Sequence, residues 1–417
     1  MRIAIVGSGI SGLGCAHALG AAHEVTVFEA DARPGGHSDT VEVPGNDGAT
    51  PVDLGFIVYN ERTYPRLTAL FAELGVDTVA SDMSFGASLE QAGIEYRLTN
   101  PATIFAQPRN IARPAFLRML RDITRFNRAA LELAAPVDED DRSLGEFVHG
   151  LRLSQEFRDW FLVPLGSAIW SADPSSFLKF PASTYVRFMD NHGLLRVRDV
   201  PKWRTVAGGS RSYVAALSAS LGERLRLGDP VRSVRRDATG VDLVTDAGTA
   251  RFDRVVLAVH ADQALALLNR PTATEREILG AIEFQPNRVT LHHDAAIMPR
   301  ARRAWASWTV RVPAVGEGAA TLSYWMNNLQ PLDTSTQWFV SLNSERLIDP
   351  TTIAAQRDVT HPVFDLAARR AQLRRDEIQG SEGVYYAGAW WHNGFHEDGL
   401  RSGQEAADAL LHDAAGT

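Results

Sequence analysis

The chain has 417 residues, of which 45% are hydrophobic and 22% charged, a composition typical of a globular enzyme. This length suggests two domains, or one domain interrupted by another. The net charge of −8 gives no reason to expect nucleic acid as a partner, and no run of about 18 apolar residues predicts a membrane span. Cys15 is the only cysteine, which excludes an intramolecular disulfide, argues against a cysteine-based metal site and favours a reducing cytoplasm; no metal is expected.

The first thirty residues predict a dinucleotide-binding site. The segment "IAIV" is typical of a buried strand, and Gly7, Gly9 and Gly12 follow it in G-x-G-x-x-G spacing before a helix. These glycines permit a tight turn, the approach of a pyrophosphate to the backbone, and close packing of helix on strand. A second strand, "EVTVFEA", ends at Glu29, whose carboxylate can accept hydrogen bonds from both ribose hydroxyls. An acid at this position disfavours the 2′-phosphate of NADP.

The residues after Glu29 resemble a segment of the FAD-dependent amine oxidases, phytoene desaturases and their relatives. Arg33, Gly35 and Gly36 match the family pattern E-x(3)-R-x-G-G, whose double glycine passes close to the FAD phosphates. The family usually places arginine next, whereas this chain has His37. The later "VDLGFIVYN" resembles the D-x-G segment that leads to the flavin pocket, with Gly55 as the matching glycine.

The same resemblance extends to two later parts of the chain. Gly208 and Gly209 precede a predicted helix, and "PVRSVRRDATGVDLVTDAGTARFDRVVLAV" predicts three strands, with Val231 at the adenine end of FAD. Near the C-terminus, "GVYYAG" predicts a strand and "EDGLRSGQEAADALL" a helix whose N-terminus, in this family, points at the flavin N1 and C2 oxygen. The predicted FAD contacts are, in full, Gly7, Gly9, Ser11, Gly12, Glu29, Ala30, Arg33, Gly35, Gly36, His37, Gly55, Val231, Gly388, Ala389, Gly399 and Leu400.

These patterns predict an α/β fold: a Rossmann-like FAD-binding domain of the glutathione-reductase and amine-oxidase type, interrupted by a mixed α+β substrate domain. The expected FAD-binding domain comprises 1–56, 201–268 and 378–417. The expected substrate domain comprises 57–200 and 269–377. No cysteine lies near the C-terminal segment, so we expect FAD to be bound non-covalently.

A finer resemblance covers nearly the whole chain. The segments "AIWSADPSSFLKFPASTYVRFMDNHGLL", "WRTVAGGSRSYV", "SYWMNNLQ" and "GFHEDGLRSG" look like bacterial FAD-dependent proteins similar to the N-terminal flavin domain of plant cyclopropane fatty acid synthases. That resemblance implies a fatty acyl or phospholipid substrate and a lipid methyltransferase as a partner. Both implications rest on association.

Three functions are consistent with the sequence. The first is an acyl-chain dehydrogenase or desaturase, the second a flavin amine oxidase, and the third a non-catalytic FAD-binding partner of a lipid-modifying enzyme. Flavin amine oxidases usually carry a lysine near flavin N5, but the comparable "NRVTLHHDAAIMP" has none, so His293 is the candidate there. Trp391 and Trp325 are candidate walls of a substrate pocket, or core residues. His396, two residues before Asp398, is a candidate proton carrier, or a cap residue bonded to backbone.

One stretch is unusually basic. Between Arg97 and Arg128 there are seven arginines and one acid, Asp122, with apolar residues at helical spacing. Such a helix can lie peripherally on an anionic membrane, or it can be a solvated helix packed on the substrate domain. Both alternatives stay open from the sequence.

Overall fold

The computed structural model describes residues 1–134, 142–170, 177–196, 200–314 and 320–415. An acidic turn expected at 137–142 and part of the "AIWSADPSS" motif, at 171–176, lie largely outside these ranges. Within the described ranges, no helix has the length and apolar character needed to cross a bilayer.

The helices are α1 (Ile10–Leu19), α2 (Pro65–Leu74), α3 (Pro101–Ile104), α4 (Pro114–Ala134), α5 (Leu144–Gly150), α6 (Gln155–Phe157), α7 (Val163–Trp170), α8 (Ala182–Asn191), α9 (Arg211–Ala219), α10 (Ala261–Leu267), α11 (Ala273–Gly280), α12 (Met326–Leu329), α13 (Leu366–Leu373) and α14 (His396–Ala415). The strands are β1 (Arg2–Val6), β2 (Glu24–Phe28), β3 (Thr40–Gly45), β4 (Gly48–Asp53), β5 (Tyr59–Asn60), β6 (Thr78–Ala80), β7 (Phe85–Leu89), β8 (Ile94–Arg97), β9 (Trp203–Val206), β10 (Leu225–Arg226), β11 (Val231–Asp237), β12 (Gly240–Thr245), β13 (Gly248–Phe252), β14 (Arg254–Leu257), β15 (Phe284–His292), β16 (Trp308–Val312), β17 (Thr321–Trp325), β18 (Phe339–Leu342), β19 (Ile353–Pro362) and β20 (Val384–Tyr386).

A five-stranded parallel sheet, in the order β10-β2-β1-β14-β20, joins the two ends of the chain. Its central strands are runs of buried aliphatic residues, as expected of a parallel sheet covered on both faces. The carboxyl ends of β1, β2, β14 and β20 lie at one edge, where open α/β sheets bind ligands. This sheet confirms the Rossmann-like α/β prediction.

The segment 231–257 forms four strands where three were predicted. The strands β11, β12 and β13 make an antiparallel sheet of their own, while β14 pairs with β1 and β20 in the parallel sheet. The difference has a simple cause. Val255, Val256 and Leu257 are completely buried, so β14 belongs to the layer that is covered on both faces.

A seven-stranded sheet forms the second large sheet, in the order β19-β15-β18-β17-β16-β7-β8. Only the β16–β7 pair is parallel among its pairings in the described chain. The strand β9 pairs with β5 and β6, so one small sheet crosses the predicted boundary at residue 201. The proposed division into two domains stays a prediction.

Candidate cofactor and active site

The turn after β1 is shaped by three glycines. Gly7 has φ +102, and a Cβ there would lie 2.6 Å from the carbonyl oxygen of Ala258. A Cβ at Gly12 would overlap the carbonyl oxygen of Gly7, so α1 begins directly against the turn. Gly9, which caps α1, has nothing within 4 Å of its Cβ position. The turn is therefore tight on its inner side and open on the side that Gly9 faces.

Gly35 and Gly36 form the second wall of this open space. Gly35 donates its backbone N–H to the carbonyl of Ser8 at 2.9 Å and pairs with Gly9 in an isolated bridge. Gly35 and Gly36 have φ +108 and +55, and a Cβ at Gly36 would lie 3.3 Å from Gly9 Cα. Two stretches of side-chain-free backbone thus face each other. Both lie at the N-terminus of a ten-residue helix, where anions bind favourably.

Arg33 supports this wall from behind. Its guanidinium donates to the carbonyl of Gly36 at 2.9 Å and pairs with the buried Asp39 at 3.4 Å. The predicted FAD contact of Arg33 therefore has an observed structural role as well, which is to hold the double glycine in place.

Glu29 lies at the carboxyl end of β2. One of its carboxylate oxygens accepts bonds from the Ser8 backbone N–H at 2.9 Å and from the Ser8 hydroxyl at 2.6 Å, and the other accepts from the Asp31 N–H at 2.9 Å. The Glu29 carbonyl accepts from the Asp229 N–H at 3.0 Å, which brings the start of β11, with Val231, to the same edge. Ala30 is exposed beside it. The predicted ribose and adenine positions are thus neighbours.

The C-terminal segment completes the cradle. Gly388 donates its N–H to the Ser402 hydroxyl at 3.0 Å. A Cβ at Gly399 would lie 2.7 Å from Ile10 Cγ2 and 3.7 Å from Ala389 Cβ, and one at Gly403 would overlap the Ser11 carbonyl oxygen. The N-terminal turns of α1 and α14 are therefore in direct contact. The residues present fit a dinucleotide: two backbone walls, two helix N-termini and a carboxylate lie around one open space.

Three histidines lie together beside the double glycine. The ring of His37 is 5.9 Å from that of His260 and 5.7 Å from that of His361. Asn287 donates its side-chain amide to His361 Nδ1 at 3.0 Å, and His260 Nδ1 is 2.9 Å from the Thr360 hydroxyl. A Cβ at Gly55 would overlap the carbonyl oxygen of His37. The predicted Gly55 therefore permits the backbone approach that places His37.

His396 lies at the start of α14, on the other side of this space. Its ring stacks on Phe56 with centroids 3.9 Å apart, and its Nε2 is 2.6 Å from the Tyr213 hydroxyl. Tyr213 in turn shares a short hydrogen bond with the Ser38 hydroxyl. Two roles were predicted for His396, a proton carrier and a cap residue bonded to backbone. The bond from its ring to the Tyr213 hydroxyl favours the first.

All four imidazoles are neutral at neutral pH. Burial, with a smaller contribution from neighbouring histidines, lowers the pKa of His260 to about 3 and that of His361 to about 4. Burial and nearby His37 lower the pKa of His396 to about 3. Burial and Arg33 also lower the pKa of His37, although its side chain is accessible to solvent. Being surrounded by protein and yet accessible is what a group lining a cavity shows.

Aromatic side chains continue from His396 toward the seven-stranded sheet. Phe395 lies 4.7 Å from the ring of His192, which stacks on Phe188 at 4.1 Å and on Trp203 at 5.6 Å. Trp308 lies 6.3 Å from His192 and contacts Tyr324 edge-on at 5.4 Å. Burial lowers the pKa of His192 to about 4. A cluster of buried and half-buried rings without charge thus continues from His396.

The structure corrects the assignment of His293. His361 of β19 pairs with Gln285 of β15, whereas His293 follows the last residue of β15. At about 3.3 Å per residue, eight residues of strand separate His293 from the histidine cluster by roughly 26 Å. His293 is exposed and contacts Trp338. Asn287, at the near end of β15, is the residue of this segment that contacts the histidine cluster.

Trp391 and Trp325 each pack in an aromatic cluster. Trp391 is 2% exposed, packs against Trp390 at 4.2 Å and lies near Arg375. A side chain facing a cofactor would be accessible in the protein alone, so Trp391 is a core residue. Trp325 contacts Trp305 at 5.4 Å at the end of the sheet that also carries His292. The burial of Trp391 favours its alternative role as a core residue, whereas the wall role of Trp325 stays a prediction.

Several residues of the site were missed from the sequence, namely Phe56, Tyr213, His260, Asn287, Phe284, Thr360 and His361. His260 follows a buried strand and stacks on Phe284 at 4.4 Å. The one local signal of this cluster in the sequence was His37, which stands where the family usually has arginine. A neutral ring at this position can pack with other rings. Cys15 is buried in α1, where burial raises the pKa of its thiol to about 12, so it is a poor nucleophile for tethering a flavin.

Comparisons with known proteins place the chain in a family. The family of flavin-containing amine oxidoreductases matches residues 10–296, which is more than half of the chain, and the chain belongs to this family. FAD is the cofactor of these proteins, and the family members are FAD-dependent oxidoreductases.

A relative in Mycobacterium tuberculosis carries a provisional assignment as the flavin-containing monoamine oxidase AofH. It is 30% identical over 277 residues, covering 64% of this chain and 58% of that protein. The match thus spans little more than half the length of that relative.

Solved structures show the same fold at low identity. Cyclohexylamine oxidase from Brevibacterium oxydans IH-35A superposes with a TM-score of 0.73 at 18% identity, over 99% of each chain. Wild-type putrescine oxidase gives 0.70 at 18% identity over 99% of each chain, and a CLA-producing fatty acid isomerase from P. acnes gives 0.69 at 15% over 97% of each. These likenesses establish the fold.

Proposed function

We propose that this protein is an FAD-dependent oxidoreductase that takes hydride from a carbon centre of an apolar substrate, a fatty acyl or phospholipid chain. One observation carries the choice of substrate. The groups packed beside the cradle, from the histidine cluster to His192, are aromatic rings and imidazoles. The pKa of these imidazoles is lowered, so they are uncharged at neutral pH. Such a lining suits an apolar chain, because desolvating a charge there would be costly.

The chain's own residues have distinct tasks in this proposal. FAD, when bound, supplies the hydride acceptor. The open backbone at Gly9 and Gly36 binds its diphosphate, and the N-terminus of α14 provides a positive dipole end. The neutral imidazole of His396 holds a proton at one ring nitrogen. It can exchange this proton through its hydrogen bond to the Tyr213 hydroxyl, which is in turn bonded to the Ser38 hydroxyl. The aromatic rings exclude water from the substrate.

Two further features favour an acyl chain. The only lysines are Lys179 and Lys202, so the chain has none in the later segment where amine oxidases usually carry one. The sequence also resembles the flavin domain of plant cyclopropane fatty acid synthases, and one protein of this fold is a fatty acid isomerase. A lipid methyltransferase that modifies the same chain is the partner that this proposal implies.

Amine oxidation is the second candidate. The relative AofH carries a monoamine oxidase name, and the superposed cyclohexylamine oxidase acts within the same fold. A neutral, aromatic-lined space would also accept an amine in its uncharged form. The two candidates differ in the substrate that reduces the flavin.

Anaerobic mixing separates them. The purified, flavin-loaded protein is mixed without oxygen with phospholipid dispersions carrying unsaturated or methylated chains, and separately with cyclohexylamine and putrescine. We expect the visible absorbance of the oxidised flavin to bleach with the lipids. Bleaching by amines alone would establish the second candidate. No bleaching by either, with FAD retained, would favour a non-catalytic FAD-binding partner.

A further inference from the structure

The outer face of α4 and the turn before it is both basic and apolar. The residues Pro114, Leu117, Arg118, Arg121, Thr124, Arg125 and Arg128 recur at three- and four-residue spacing and are all exposed. Ile111, in the 3₁₀ turn before α4, is 58% exposed and Leu117 is 43% exposed. Large apolar side chains next to a row of arginines are typical of helices that lie on membrane surfaces.

The opposite face of α4 is fully packed. Phe116, Met119, Phe126 and Ala130 are completely buried, and the ring of Phe126 lies 6.0 Å from that of Tyr185 in α8. The apolar residues at Ile111 and Leu117 therefore do not belong to the core of α4. Together with the arginines beside them, they make this face apolar as well as basic.

One acid at this face, Glu156, pairs with Arg118, whose side chain stays 47% exposed, and the other, Asp122, is removed from the surface. Asp122 is completely buried and accepts bonds from the Ser154 N–H at 2.8 Å and from Arg125 at 3.1 Å. The side chain of its other partner, Arg121, remains 63% exposed. Arg128 has no ion-pair partner within the described parts of the chain. The acids at 138–141 lie outside the described residues.

A cleft adjoins the same face. It has a volume of about 840 Å³ and is lined in part by His149, Arg152, Ser154, Gln155 and Arg158. The Asp122–Ser154 bond and a bond from Arg125 to the Leu151 carbonyl at 2.8 Å connect α4 to this cleft. The basic and polar side chains that line this cleft are suited to an anionic lipid headgroup.

From these observations we infer that the face formed by Ile111, Pro114, Leu117, Arg118, Arg121, Arg125 and Arg128 docks on an anionic lipid surface. The chain as a whole is acidic, with a net charge of −8, so the local positive charge gives the protein one preferred orientation on such a surface. The inner side of α4 contacts α8, and Phe188 and His192 at the end of α8 belong to the aromatic cluster beside His396. The inference holds whichever substrate the flavin oxidises.

Vesicle co-sedimentation tests this inference with the flavin-loaded protein. The vesicles are phosphatidylcholine alone, and phosphatidylcholine with an equal amount of phosphatidylglycerol. We expect binding to the anionic vesicles only, weakening as salt is added. Each arginine near such a surface contributes about fivefold to the binding constant, so Arg121→Gln/Arg128→Gln should bind about 25-fold more weakly. Leu117→Gln should weaken binding severalfold with little change in the salt dependence.

The matched control is Arg276→Gln/Arg346→Gln, which removes the same charge from exposed arginines on other elements. It should bind like the unaltered protein. Equal binding to neutral and anionic vesicles, or equal binding of the control and the α4 variant, would overturn the inference. Capture on immobilised polyglutamate without vesicle binding would also overturn it, in favour of an acidic protein partner.

Discussion

The cradle and the cavity beside it are built in different ways. The cradle consists of backbone: Gly7, Gly9, Gly12, Gly35 and Gly36 offer N–H groups and open space. The cavity is lined by side chains, and His37, His260, His361 and His396 come from four separate parts of the chain. Backbone walls are fixed by short motifs, whereas side-chain walls depend on how distant elements pack. The difference teaches that the cofactor and the substrate are specified by different kinds of sequence information.

The largest expected effect is at the cradle. Gly12→Ala would place a Cβ onto the Gly7 carbonyl oxygen, a backbone atom that cannot move aside without opening the turn. Overpacking of this kind costs about 3 kcal/mol or more of unfolding free energy. We expect the variant to melt at lower temperature and to be purified without flavin. A variant with full flavin absorbance and unchanged melting would show that the turn is not as tight as described.

The next effect separates core from cavity. Trp391→Ala should reduce the free energy of unfolding by about 3–5 kcal/mol, because it empties a buried site. His293→Ala, on an exposed residue far from the histidine cluster, should change it by less than about 0.5 kcal/mol and leave flavin reduction unchanged. Denaturant melts and anaerobic flavin reduction measure both. If His293→Ala reduced its flavin slowly at unchanged stability, His293 would have to be considered an active-site residue.

A smaller effect is expected within the cavity. Tyr213→Phe and His396→Phe keep the rings but break the bond between the hydroxyl and the imidazole, and each should slow flavin reduction about a hundredfold while FAD stays bound. Tyr385→Phe is the matched control, because its buried ring also loses one hydroxyl bond, to Asp413 at 2.7 Å. Stopped-flow reduction under the substrate that bleaches the wild type gives the rates. Equal slowing of flavin reduction in Tyr385→Phe would mean that the bond between Tyr213 and His396 contributes only to packing.

The smallest effect is on pH dependence. The pKa of His396 falls from its usual 6.5 to about 3 on folding, so the unfolded chain binds the proton between these values and stability is lost as the pH falls from about 6.5 toward 3. His396→Phe should therefore lose less stability on acidification than the wild type. Asp398, whose pKa burial raises to about 6, acts in the opposite direction in both proteins and cancels in the comparison. If the stability of the wild type and of His396→Phe fell in parallel with pH, His396 would not be held in its neutral form by burial.

Much of the fold and the cradle could be predicted because their signals are local. The G-x-G-x-x-G turn, Glu29 and the double glycine lie within thirty residues, and each of these glycines except Gly9 has a backbone atom close to its Cβ position. The C-terminal glycines are also placed by close approach, since Gly403 contacts Ser11 and Gly399 contacts Ile10. The strand β14 was not predicted separately, because it follows β13 after a single residue and has similar residue types.

The cavity could not be predicted in the same way. His260 and His361 lie a hundred residues apart and come together only through the pairing of β15 with β19 and the contact of Thr360 with His260. His293 was chosen from its position in the sequence, but the register of β15 places it at the far end of that strand. Trp391 was attractive as a large aromatic residue near the flavin helix, and only its burial distinguishes a core residue from a wall.

The most direct test of the central claim is the flavin content of Gly9→Ala. Nothing lies within 4 Å of the Cβ position at Gly9, so the variant should fold and melt like the wild type, but its methyl group would enter the open space at the N-terminus of α1 where we propose that the diphosphate binds. Gly280→Ala is the control, because its Cβ meets only a leucine side chain at 3.8 Å. We predict stoichiometric FAD in the wild type and in Gly280→Ala, released on denaturation, and none in Gly9→Ala. A folded Gly9→Ala protein that retains full FAD would contradict the account.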